Sequence, residues 1–148
     1  MTTQPQRTSE LYAHSPNPEG KWHILSDHLA TVAALSQLFA DRFGAGEIGK
    51  TLGLLHDIGK FNPDFQRYLL QCWQVQSKGG SRPRSTPHSI YGGLTANRNK
   101  TPLLAFAAAG HHGGIPDPAE LKARLANAQF PYWMADAEAA LPGALSTP

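Results

Sequence analysis

The sequence predicts an all-α domain. Strand-like alternation of apolar and polar residues is nearly absent, while apolar stripes recur at helical spacing. Asn-Pro, Thr-Pro and Asp-Pro pairs mark helix starts, and glycines mark stops. With 148 residues, one domain is the default, and 41% apolar residues supply a core. No internal repeat is visible.

Residues 1–12 read as a polar, disordered lead-in without the apolar stretch of a signal peptide. The first helix is expected from about Ser26 to Phe43, with Ser26 as N-cap and Asp27 at the positive end of the dipole. Val32, Leu35 and Phe39 form its buried stripe, and His28 extends that stripe inward by one turn. Gly44 and Gly46 end it. A second helix spans about Glu47 to Ile58, with Ile48, Leu52 and Leu55 on its apolar face and Gly59 as its stop. His56 follows Leu52 by four residues and so faces the core.

Asn62-Pro63 starts a third helix, packed through Phe65, Leu69, Leu70 and Trp73. Gln74 to Pro87 reads as a loop. Thr86-Pro87 opens the next helix, with His88 in its first turn. Thr101-Pro102 opens the almost wholly apolar helix Leu103 to Ala109, expected to be central, which delivers His111 and His112 at its end. Asp117-Pro118-Ala119-Glu120 is a capping box for a helix burying Leu121 and Leu125. A last short helix, weakly amphipathic, is expected around Pro131 to Leu141, followed by a Pro-, Gly- and Ser-rich tail over 142–148.

Composition narrows the function classes. A net charge of +2 is mildly basic; it permits a nucleic-acid partner without arguing for one. The single cysteine, Cys72, excludes an internal disulfide framework and a thiolate metal site, and fits a reducing cytoplasm. No apolar run approaches the roughly 20 residues of a membrane span.

The chemistry is concentrated in histidine. Gly110-His111-His112-Gly113-Gly114 sets two imidazoles side by side, and His56-Asp57 lies in the run Leu54-Leu55-His56-Asp57-Ile58-Gly59-Lys60. Taken singly, each has an ordinary reading: His28 a satisfied core histidine, His88 polar surface, His111-His112 a solvated turn, Asp57 an exposed acid. Taken together, inward stripes at 28 and 56 and a buried helix ending in a histidine pair describe ligands converging from separate helices. Five histidines and one aspartate exceed one tetrahedral site. They suggest two divalent metals sharing Asp57 as a bridging carboxylate, an arrangement suited to in-line phosphoryl hydrolysis. Manganese, iron, cobalt, nickel, zinc and magnesium all remain open.

Lys60 has two readings, a helix-end lysine answering the dipole or a phosphate-facing catalytic cation. His14 and His23 read as packing or lid residues. Lys78, Arg82 and Arg84 form a basic loop leading into His88. They are either an ordinary solvated loop or sequence-independent phosphate contacts.

These residues resemble the HD phosphohydrolase superfamily and, more narrowly, the HD nuclease domain of the CRISPR-associated helicase-nuclease of type I systems. The matching pieces are Ala13-His14-Ser15, Trp22-His23 leading to Asp27-His28-Leu29, Gly53 to Lys60, Phe65 to Leu69, His88-Ser89 with Gly92, and Gly110 to Gly114. The resemblance implies an HD-type domain over 13–141. It implies one metal held by His28, His56 and Asp57, and another by Asp57, His88, His111 and His112. It further implies cleavage of single-stranded DNA in antiviral defence, alongside a helicase domain or subunit and an RNA-guided surveillance complex, Cascade. The resemblance also implies a later aspartate closing the first site. Asp136 is the only late aspartate on a helix, and its surroundings read as surface. The expectation is therefore a C-terminally incomplete domain. Two other readings stay open: an HD nucleotide phosphohydrolase, and a truncated metal-binding domain without activity.

Overall fold

The computed structural model describes residues 10–141, and the tail expected over 142–148 lies outside them. Within them the protein is all-α, with seven α-helices and one small ribbon. The ribbon pairs β1 (Tyr12–His14) antiparallel with β2 (His23–Ile24), in the register Tyr12↔Ile24 and His14↔His23. β1 therefore begins inside the stretch expected as lead-in, of which residues 1–9 lie outside the described part. Strands of three and two residues escape a search for alternation, because so short a run shows no period.

Helix α1 (Leu25–Asp41) starts one residue before the expected cap. Ile24 is the N-cap and no side chain caps it. Its buried stripe is Leu25, Leu29 and Ala33, not Val32, Leu35 and Phe39. Leu35 is 48% exposed and Phe39 61%. The reason lies in α2 (Gly46–Leu55), which meets α1 through glycines. A Cβ added at Gly53 would stand 2.5 Å from Ala33 Cα, and one at Gly49 2.5 Å from Ser36 O. The helices approach backbone to backbone along the Ala33 side, which turns Leu35, Leu38 and Phe39 outward. Ile48 is exposed for the same reason.

Helix α2 ends at Leu55, three residues short of expectation. His56 and Asp57 form a turn, and Ile58–Phe61 is a short 3-10 turn. Helix α3 (Pro63–Lys78) opens as expected, with Asn62 Oδ1 accepting from Asp64 N at 2.9 Å. Phe65 and Leu69 are buried, whereas Leu70 and Trp73 are largely exposed. This helix runs through Gln74–Lys78, expected as loop, to Gly79 at φ 78°. Lys78 is therefore a helical residue. Helix α4 (Ser89–Arg98) begins after His88, which is its N-cap rather than a first-turn residue.

Helix α5 (Pro102–Gly110) buries Ala105, Ala108, Ala109 and Gly110, while Leu103 faces solvent. Asp117 caps α6 (Pro118–Asn127) through Ala119 N at 2.8 Å and Glu120 N at 3.3 Å. Leu121 is buried and Leu125 partly so. Helix α7 (Met134–Ala140) is better embedded than expected: Met134 and Ala137 are fully buried, with Trp133 and Leu141 beside them. Burying Met134 alone is worth roughly 1.5–3 kcal/mol. These residues join Leu25, Leu29, Leu54, Leu55 and Ile58 in one core beneath the 56–61 turn. No helix among the described residues is long and apolar enough to cross a membrane.

Candidate metal centre

Asp57 is the hub of the site. It is 3% exposed, and its two oxygens face different histidines. Oδ2 lies 3.0 Å from His28 Nε2 and 3.2 Å from His56 Nε2. Oδ1 lies 3.2 Å from His88 Nε2 and 3.3 Å from His111 Nε2. His112 joins the second set through His88, with Nε2 to Nε2 at 2.8 Å. His28 and His56 are likewise Nε2 to Nε2 at 3.3 Å.

Each of these side chains reaches the cluster for a local reason. His56 is the C-cap of α2 and Asp57 follows in the turn, where the helical 100° divergence of neighbours no longer applies. His28 stands on α1, one residue before buried Leu29. His88 is brought in by Gly59, where any Cβ would run into the His88 carbonyl. Gly92 gives the same room to α4, since a Cβ there would strike the Leu55 carbonyl. His111 caps the C-terminus of α5, and the turn after it closes with Gly113 N and Gly114 N donating to Gly110 O at 3.1 and 2.8 Å. Gly114 has φ 86°, which glycine adopts without strain.

The donor set fits divalent cations. His56 Nδ1 donates to Gly53 O at 2.7 Å and His111 Nδ1 to Ala108 O at 2.8 Å. Those bonds leave each Nε2 as a lone pair aimed at the carboxylate, the arrangement by which a backbone carbonyl orients a metal-binding imidazole. Lone pairs facing lone pairs at these distances repel unless a cation or proton lies between them. Asp57 Oδ1 and His111 Nε2 are buried without a hydrogen-bond partner among the described residues. Two groups each bring one donor atom per residue within 4.8 Å of the others: His28, His56 and Asp57, and Asp57, His88, His111 and His112. Asp136, exposed on α7, joins neither.

Electrostatics follow from burial and these contacts. Burial opposes ionisation of Asp57, but His111, His56 and His88 hold its carboxyl well below the usual carboxylate range. Burial pushes His28 below the ordinary imidazole value against the pull of Asp57. Burial, then His111 and His88, lowers His112. At His111 burial is outweighed by Asp57 and the Ala108 carbonyl, and its pKa is raised.

Lys60 lies in the 3-10 turn that follows α2. It is 4% exposed, with Nζ 2.8 Å from Asp57 Oδ2 and donating to Ala13 O at 3.0 Å. It ties the carboxylate to β1. Gln66 was given no role in the sequence reading, and its amide completes that attachment. Its Oε1 accepts from Tyr12 N at 2.9 Å, and its Nε2 donates to Tyr12 O at 2.9 Å and Lys60 O at 2.7 Å. The available signal was a polar residue beside buried Phe65, where an amide needs partners. His14 and His23, expected to pack or cover, form a further group with His28. Lys78, Arg82 and Arg84 are exposed beyond the site, with Arg82 beside Cys72 and Tyr68 of α3.

No curated protein matches the chain. The family model described as "Cas3, HD domain" matches residues 13–145.

Proposed function

The chain belongs to the Cas3 HD-domain family, and we propose that it is a metal-dependent nuclease that cuts single-stranded DNA in CRISPR defence. The observation that carries this reading is the division of four histidines between the two oxygens of one buried aspartate, with a fifth, His112, joined through His88. In the proposal His28, His56 and Asp57 hold one divalent cation, and Asp57, His88, His111 and His112 hold a second. Such a pair, when bound, supplies an activated water and neutralises charge on the scissile phosphate.

The remaining steps belong to the chain. The Gly53 and Ala108 carbonyls keep His56 and His111 in the ligating tautomer. Asp57 stays ionised at neutral pH and so offers both oxygens. Lys60 acts as a positioning residue, holding Asp57 from behind, rather than touching phosphate. His112 is exposed, so the second group opens to solvent, where a polymer strand can enter. Lys78, Arg82 and Arg84 track the phosphate backbone without reading bases. The domain works beside a helicase and is recruited by an RNA-guided complex.

The test is a cleavage assay with the full chain and manganese on single-stranded DNA, duplex DNA and nucleotides. Endonucleolytic cuts in single strands are expected, reduced by more than about 100-fold in Asp57→Ala. Hydrolysis of nucleotides with DNA left intact would replace this reading by that of a nucleotide phosphohydrolase.

A further inference from the structure

Two histidines remain once the groups around Asp57 are complete. His14 and His23 face each other across the ribbon, cross-strand partners in its register. Their rings are stacked, with centroids 5.7 Å apart and planes at 29°. The ring of His28 stands edge-on to both, 5.1 Å from each, at 88° to His14 and 86° to His23. One donor atom from each of the three lies within 4.8 Å of the other two.

The ribbon that carries them is firmly attached. Gln66 brackets Tyr12 through two hydrogen bonds, and Lys60 holds the Ala13 carbonyl. Leu25 N donates to Leu11 O at 2.7 Å. Tyr12, Trp22 and Trp73 form an aromatic chain to α3, with centroids 4.5 and 5.8 Å apart. His14 and His23 are themselves exposed. Their backbones are thus positioned while their rings stand exposed.

We propose that His14, His23 and His28 form a third cation site, which takes zinc or nickel(II) and not manganese or magnesium. The selectivity follows from the donors: three imidazole nitrogens and no carboxylate suit borderline transition metals, whereas manganese and magnesium favour oxygen ligands. A tetrahedral ion with nitrogens at roughly 2.0–2.1 Å sets them about 3.3 Å apart. The three donor atoms, within 4.8 Å of one another, draw in to that spacing around the bound ion. The fourth position faces solvent and takes water or an anion. His28 is common to this group and to that of Asp57, so the site adjoins the centre; when both are filled His28 bridges them as an imidazolate, one nitrogen to each ion, having released its ring proton to solvent. The inference rests on the histidine geometry and not on the nuclease reading.

The test uses the full-length His14→Gln/His23→Gln double variant. Wild type and variant are dialysed separately against zinc chloride and manganese chloride, and bound metal is counted by elemental analysis. The variant is expected to hold about one equivalent less zinc and the same manganese, with an unchanged helical circular dichroism spectrum. Equal zinc contents in the two folded proteins would overturn the site, as would a matching loss of manganese. If the double variant does not fold, His23→Gln is titrated with zinc by calorimetry. Loss of one binding event supports the site, and retention of every event overturns it.

Discussion

His56 and His111 are oriented by one device used twice. Each sits at the C-terminal end of a helix and donates Nδ1 to the carbonyl three residues back, Gly53 O at 2.7 Å and Ala108 O at 2.8 Å. The two Nε2 atoms then approach Asp57 from its two oxygens, 3.2 and 3.3 Å away. A helix end is suited to this, because its last carbonyls lack intrahelical partners. The same bond satisfies the helix and selects the tautomer.

Acid should empty the two groups in order. Ligation needs a neutral imidazole. His111 has a raised pKa, so its neutral form is complete only above that raised value and is lost as pH falls through it. His28 is lowered and stays neutral further into acid. Metal held on the Oδ1 side is therefore expected to leave first as the pH falls. Manganese content measured against pH should fall in two steps, with His111→Gln removing the step at higher pH. A single step in both proteins would contradict the assignment.

Replacing Lys60 should cost more stability without metal than with it. Its ammonium and the Asp57 carboxylate are both buried, and removing one leaves the other uncompensated. Lys60→Met is expected to lose about 3 kcal/mol in chelator, read from urea melts, and clearly less with manganese present. An equal loss in both conditions would mean that Lys60 serves only the ribbon.

Gly59→Ala should disrupt the Oδ1 group while leaving the other intact. The new methyl meets the His88 backbone carbonyl, which cannot rotate away. A destabilisation of about 1–3 kcal/mol is expected, with loss of the equivalent of metal that needs His88. Calorimetric titration with manganese reads both. Two unchanged binding events would show that the approach of the His88 backbone is not required.

The candidate site was legible in the sequence because its signal is chemical. Few structural needs put histidine at 28, 56, 88, 111 and 112 together. The packing was less legible. Leu35 and Phe39 looked like core because hydropathy weights large side chains, whereas the real contact is made by Ala33, Gly49 and Gly53, which have little or no side chain. Periodicity marks a face without saying which face a neighbour covers. The ribbon was invisible for a different reason: it depends on Gln66 and Lys60 reaching 54 and 47 residues along the chain, and no local pattern encodes such partners.

The most direct measurement of the central claim is anomalous diffraction from crystals of the full chain soaked in manganese. The account predicts two peaks flanking Asp57, one on the Oδ2 side among His28 and His56 and one on the Oδ1 side among His88, His111 and His112. A single peak, or peaks that do not share Asp57, would contradict it.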